Sequence, residues 1–149
     1  MSRAKRLQPV QRIADDNERR CAEKFSMAER RVAQCEAKLA ELEQYRADYA
    51  KGFVERAKGG LDAAGLRDYQ AFLARLAEAA RQQAFILEKS RADREAERMR
   101  WQDAARRAKA MGHVVAGWKA EERFTEQRQE QRDTDERALR HRPSQDVLK

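Results

Sequence analysis

The sequence predicts an all-α protein: a long antiparallel two-helix coiled-coil hairpin with an overhanging C-terminal helix. Composition, helix breakers and apolar periodicity each point there. Of the 149 residues 40% are charged and 41% apolar, with only 7% aromatic, too little to fill a globular core of this length. Six glycines and two prolines are fewer than disorder normally brings, and the chain is rich in Ala, Arg, Glu, Gln and Leu, the residues of long helices. These numbers disfavour a sheet protein, a disulfide-stapled secreted domain and a membrane span.

The breakers set the elements in order. Pro9 near the start suits a first helical turn, and Pro143 stops a helix near the end. Between them glycines cluster only at Gly59, Gly60 and Gly65, with Asp62 placed to N-cap the second helix. The expected layout is one coiled-coil domain over 1–149. Helix one covers about 7–58, a turn about 59–62, and helix two about 62–141. A turn this short makes the helices antiparallel neighbours.

Helix one carries a stripe through Leu7, Val10, Ala14, Asn17, Cys21, Phe25, Ala28, Val32, Cys35, Leu39, Leu42, Arg46, Tyr49, Phe53 and Arg56, broken only at Asn17, Arg46 and Arg56. Two successive steps of four at Asn17–Cys21–Phe25 predict a stutter in the supercoil. Helix two alternates steps of three and four from Leu66 through Tyr69, Leu73, Leu76, Ala80, Gln83, Leu87 and Ser90 to Trp101, Ala104, Val115 and Trp118. Ser90, Arg94 and Glu97 form its weak segment. A period near 3.5 over so many turns is the signature of a left-handed coiled coil. With the turn centred near residue 61, Leu7 falls opposite Val115, Tyr45 opposite about 77 and Tyr49 opposite about 73. Helix two beyond about 117 then has no partner in the chain; its alternating Glu and Arg support a single helix only through i,i+4 pairs.

No catalytic constellation is visible, so the chain is expected not to be an enzyme and to use no cofactor or metal. Gly59-Gly60 lacks the rest of a phosphate loop, and His113 and His141 have no ligand neighbours at suitable spacing. Cys21 and Cys35 would stand about 21 Å apart on one helix, so they read as reduced and buried. No apolar run reaches about 18 residues, so no span is expected. The basic start lacks the apolar stretch of a secretory signal.

Surplus apolar surface remains. Leu42, Tyr45 and Tyr49 run beside one seam, and Phe72, Leu76, Ala79, Gln83 and Ile86 beside the other, at matching height. Such a patch is read either as a broadened seam or homodimer contact, or as a partner site. The basic excess is also open to two readings. Arg3, Lys5, Arg6 and Arg12 lack acidic company, whereas Asp93, Glu95, Glu97 and Asp103 dilute the basic run from Lys89 to Lys109.

Leu39-x2-Leu42-x2-Tyr45-Arg46-x2-Tyr49, and Gly60-Leu61-Asp62 followed by Leu66-x2-Tyr69-x2-Phe72-Leu73-x2-Leu76 and Gln82-Gln83, together resemble the flagellar export protein FliJ family. The basic start Lys5-Arg6-Leu7-x2-Val10, the length and the charged C-terminal helix extend the resemblance over nearly the whole chain. It implies a cytoplasmic component of the flagellar type III export apparatus, peripheral at the inner face of the cell membrane at the flagellar base. Its hairpin would be similar to the gamma-subunit stalk of rotary ATPases. The implied partners are the hexameric export ATPase, the cytoplasmic domain of the membrane-embedded export gate, and export chaperones. A gate-contacting patch carries over onto Leu42, Tyr45, Tyr49, Phe72, Leu76, Ala79 and Gln83. For the ATPase-facing end, position alone points to Arg3, Lys5, Arg6 and Arg12 with the helix after about 119. The family often has histidine where this chain has Gln83 and glutamine where it has Lys38. The rival readings are the equivalent stalk of a virulence secretion system, a basic coiled-coil nucleic-acid binder, and a dimerising scaffold. Nucleic acid is not expected as a partner.

Overall fold

Ser2 sets the first boundary. Its hydroxyl oxygen accepts the Lys5 N–H at 3.2 Å and its carbonyl accepts the Arg6 N–H at 3.1 Å, so the helix starts at Arg3 rather than near residue 7. The computed structural model describes residues 2–141, which form two helices and, among the described residues, no strand. Helix α1 is Arg3–Lys58 and α2 is Ala63–Arg140. Pro9 therefore lies inside α1, beyond the first turn. It forgoes one hydrogen bond to Lys5 but projects to solvent, where the bared carbonyl can be hydrated. The C-terminal stop expected at Pro143 lies outside the described residues.

The connection is built as its glycines suggest. Gly59 and Gly60 N–H groups donate back to the Arg56 and Ala57 carbonyls at 3.1 and 3.2 Å. Gly60 holds φ at +88°, the left-handed conformation that ends a helix and suits a residue without Cβ. Asp62 then caps α2: its Oδ1 accepts the Gly65 N–H at 2.8 Å.

The inward row of α2 follows the expected seam. Leu76, Ala80, Gln83, Leu87, Ser90, Ala104 and Val115 are buried, and every other member from Tyr69 to Trp118 is half-buried. Only Leu66, at its start, stays exposed. In α1 the structure corrects the expectation. Val10 and Asn17 are exposed, whereas Gln11 and Glu18 are half-buried and Ala4 is buried. The inward row is Ala4, Leu7, Gln11, Ala14, Glu18, Cys21, Phe25 and onward to Phe53, an unbroken alternation of threes and fours, so there is no stutter. The polar residues Gln11 and Glu18 took seam positions because the heptad phase was fixed elsewhere along the helix. Cys21 and Cys35 are free and half-buried, less enclosed than expected.

The chain divides into two compact units. One is Arg19–Asp103; the other joins the described residues up to Glu18 with those from Ala104 onward. In the first, Phe25 stacks on Trp101 (centroids 5.6 Å, 9°), and Gln83 Nε2 donates to the Cys35 carbonyl at 3.3 Å. Arg91 pairs with Glu36 at 3.4 Å. In the second, the Arg3 guanidinium lies 5.8 Å from the centre of the Trp118 ring, and the Ala4 N–H donates to Glu122 Oε1 at 3.3 Å. α1 has no acidic residue in its own first turn, so Glu122 supplies the negative charge its N-terminal dipole favours. In both units low-numbered residues of α1 meet high-numbered residues of α2, an antiparallel pairing. From Arg123 to Arg140 every residue of α2 is exposed. No helix among the described residues is long and apolar enough to cross a membrane.

Candidate partner-binding site

Five rings converge near the turn, in the unit Arg19–Asp103. Phe53 and Tyr69, both seam residues, stack face to face with centroids 3.5 Å apart. Tyr49 continues the stack on Tyr69 at 5.2 Å and meets Phe72 at 4.5 Å. Tyr45 closes the outer edge, standing at 79° to Phe72 with centroids 6.1 Å apart and lying 6.5 Å from Tyr49. Apart from the Phe53–Tyr69 pair, these are separations that aromatic quadrupoles favour. The pairing sits nearer the turn than the expected opposites of 45 and 49, because Tyr45 and Tyr49 both reach Phe72.

The seven patch residues divide by exposure. Tyr45 keeps 51% of its surface exposed. Leu42, Tyr49, Phe72 and Ala79 are half-buried. Leu76, at 8%, and Gln83, at 6%, are buried, so they act as the floor of the patch rather than its face. The Gln83 amide is engaged by the Cys35 carbonyl. Sequence reasoning placed Phe53 and Tyr69 in the seam without linking them to the patch. Their positions signalled burial, but only the pairing of the two helices shows that Tyr69 stacks on both Phe53 and Tyr49.

The basic residues at the start of α1 belong to the other unit. Lys5, Arg6 and Arg12 are exposed, and Arg3 is exposed while lying over Trp118. On α2 beyond Glu122, Arg128 lies 5.4 Å from the Phe124 ring centre, and Phe124 and Leu139 are the large apolar side chains left in solvent.

The order of these motifs along the chain has a counterpart among known families. A family model described as flagellar FliJ protein matches residues 3–142. The chain belongs to the FliJ family. Comparison with curated proteins and with solved structures returns no match. FliJ proteins are flagellar export components, and this chain, all-helical among the described residues, has the two long helices expected of a hairpin. The aromatic patch and the basic N-terminal residues are therefore features of a FliJ chain.

Proposed function

We propose that this FliJ chain is the stalk component of the flagellar type III export apparatus, binding and activating the export ATPase ring and contacting the export gate and export chaperones. The observation that supports it most is Tyr45. The seam is already filled by Tyr49, Phe53 and Tyr69, yet Tyr45 leans on Phe72 with half its surface in water. Exposed aromatics anchored on buried ones are typical of the few residues that dominate an interface. Leu42, Tyr45, Tyr49, Phe72 and Ala79, floored by Leu76 and Gln83, form the gate contact in this reading.

The ATPase contact draws on Arg3, Lys5, Arg6 and Arg12 and on α2 from Arg123 to Arg140, the helix expected to overhang. That segment carries its own stabilisation, with Gln129 and Gln131 donating to Asp133 and Asp135 at 3.4 and 3.2 Å. Such pairs contribute about 0.2–0.5 kcal/mol each, too little to hold a lone helix firmly, so ordering on the ATPase ring is the natural consequence.

Two measurements test this. Purified chain should raise hydrolysis by the cognate export ATPase; no stimulation at any stoichiometry removes that half. Tyr45→Ala with Phe72→Ala should weaken binding to the cytoplasmic domain of the gate by roughly thirtyfold while leaving helix content intact. Unchanged gate binding removes the other half.

A further inference from the structure

Within the unit Arg19–Asp103 two faces flank the seam, and their charges are handled differently. On one, Glu36 meets Arg91 across the seam at 3.4 Å. The seven-residue rows through these two residues set Glu29, Glu36 and Glu43 of α1 against Arg91 and Arg98 of α2. On that face Arg91 is paired with Glu36 across the seam, and Glu43 and Arg98 pair within their own helices with Arg46 and Glu95. The other face carries Tyr45 and Phe72 in edge contact. Steps of seven back along α1 from Tyr45 give Lys38, Arg31 and Lys24. Steps of seven forward along α2 from Phe72 give Ala79, Ile86 and Asp93.

A seven-residue step is two helical turns, so each row keeps to one line. Lys24, Arg31 and Asp93 jointly line a groove of about 650 Å³ floored by Ala28 and Glu97, which shows that the two rows still share a face at their far end. The result is a basic row that with Tyr45 spans roughly 31 Å on α1, beside an apolar row of roughly 21 Å on α2, from Phe72 to Ile86, at 1.5 Å per residue, with Asp93 continuing the α2 row into the groove that Lys24 and Arg31 line. Lys24, Arg31 and Lys38 are exposed and make no ion pair among the described residues. Ile86 is 43% exposed. Three exposed cations without ion-pair partners thus stand beside an apolar row in which Phe72 and Ala79 are half-buried and Ile86 is exposed, whereas on the other face Arg91 is paired with Glu36.

We infer that this face is a track for an acidic amphipathic helix of a partner protein. The partner's apolar stripe lies on Phe72, Ala79 and Ile86, and its Asp and Glu side chains meet Lys38, Arg31 and Lys24. This rests on the reading of Tyr45 and Phe72 as a partner contact, and it extends that contact by three cations and one apolar residue. A second copy of the chain is a poorer occupant, because Glu36 and Glu43 of its acidic row are already paired with Arg91 and Arg46. Nucleic acid would satisfy the cations but leave the apolar ridge in water.

The test uses the full chain and two synthetic helices of about four heptads with identical leucine stripes, flanked by glutamate in one and glutamine in the other. The glutamate peptide should bind roughly tenfold more tightly at low salt, and the gap should close as salt rises. Lys24→Glu with Arg31→Glu and Lys38→Glu should abolish that preference with helix content unchanged. If this triple variant loses helix content, the triple glutamine variant removes the charge without new repulsion and should erase the preference equally. Equal binding of both peptides overturns the inference, as does a preference that survives the substitutions or duplex DNA that displaces the glutamate peptide at equal affinity. A triple variant that keeps its peptide preference, while the Tyr45→Ala, Phe72→Ala pair loses the gate domain, refutes the track alone. The opposite pattern refutes the gate reading alone.

Discussion

At the residue scale, two positions at the turn hold the reversal of the chain. Gly60 occupies a φ of +88° that an L side chain adopts only at a cost of roughly 1–2 kcal/mol. Asp62 satisfies an otherwise orphaned N–H of α2, an arrangement typically contributing about 1 kcal/mol. Gly60→Ala and Asp62→Ala should each lower stability by about 1 kcal/mol, read as a fall in the thermal midpoint by circular dichroism. Gly65→Ala should not show the gain usual for a helical glycine. A Cβ there would stand 2.7 Å from Leu61 Cδ2 and 3.0 Å from the Asp62 oxygen that forms the cap. Both Gly60 and Asp62 were readable as turn and cap from sequence, since Gly-Gly with Asp two residues on leaves few alternatives. The heptad phase near Val10 was not: an apolar residue and a polar one sit side by side, and the apolar one stayed outside.

At the scale of the element, α2 contains a stretch in which the seam turns polar. Ser90 hides its hydroxyl by donating to the Leu87 carbonyl at 2.7 Å. Glu97 pairs one oxygen with Arg100 at 2.7 Å, but its Oε2 is buried with no hydrogen-bond partner. A buried unsatisfied oxygen costs about 1–3 kcal/mol, so Glu97→Leu should raise the thermal midpoint by an amount of that order. A fall would show that the carboxylate is satisfied by solvent in the groove. The last turns of α2 behave differently. With every residue from Arg123 to Arg140 exposed, their amides should exchange fastest in the free chain. They should gain protection when the export ATPase is added; unchanged exchange would detach this segment from the ATPase contact. The weakness of Ser90–Arg94–Glu97 was visible in the sequence, but the groove beside it was not, because it depends on which α1 residues lie opposite.

For the molecule as a whole, the net charge of +7 is the excess of 33 basic over 26 acidic side chains, some of which are paired along the helices. Arg81 donates to Glu78 and holds its carboxyl below the ordinary value of 4.5; Arg98 does the same for Glu95. Glu88 and Glu95 push the Arg91 and Arg98 guanidinium groups above their already high ordinary range. A carboxyl depressed by folding contributes stability above its unfolded value and loses it as pH falls through the folded one. The raised arginines keep their contribution throughout the neutral range. None of the four groups is buried, so each effect is small. The thermal midpoint should therefore stay flat from about pH 5 to 9 and decline only below the ordinary carboxylate range. Added salt should soften that decline, since protonating 26 acids leaves 33 basic side chains to repel one another.

The sequence alone determined the all-helical class, the place of the turn and the inward row of α2. Each rests on local chemistry: glycine's access to left-handed backbone, aspartate's reach to a free N–H, and a period that holds apolar residues on one side of a helix. It also marked Tyr45 and Phe72 as lying beside the seam. Only the tertiary structure decided that Gln11 and Glu18 rather than Val10 and Asn17 face inward, that Leu76 and Gln83 are buried rather than surface, and that Tyr69 carries the ring stack from Phe53 to Tyr49. The basic row of α1 likewise came to lie beside the apolar row of α2 only through the pairing. These outcomes turn on which residues of one helix meet which of the other. That register is a sum of weak contacts along two long helices, and no short stretch of sequence contains it.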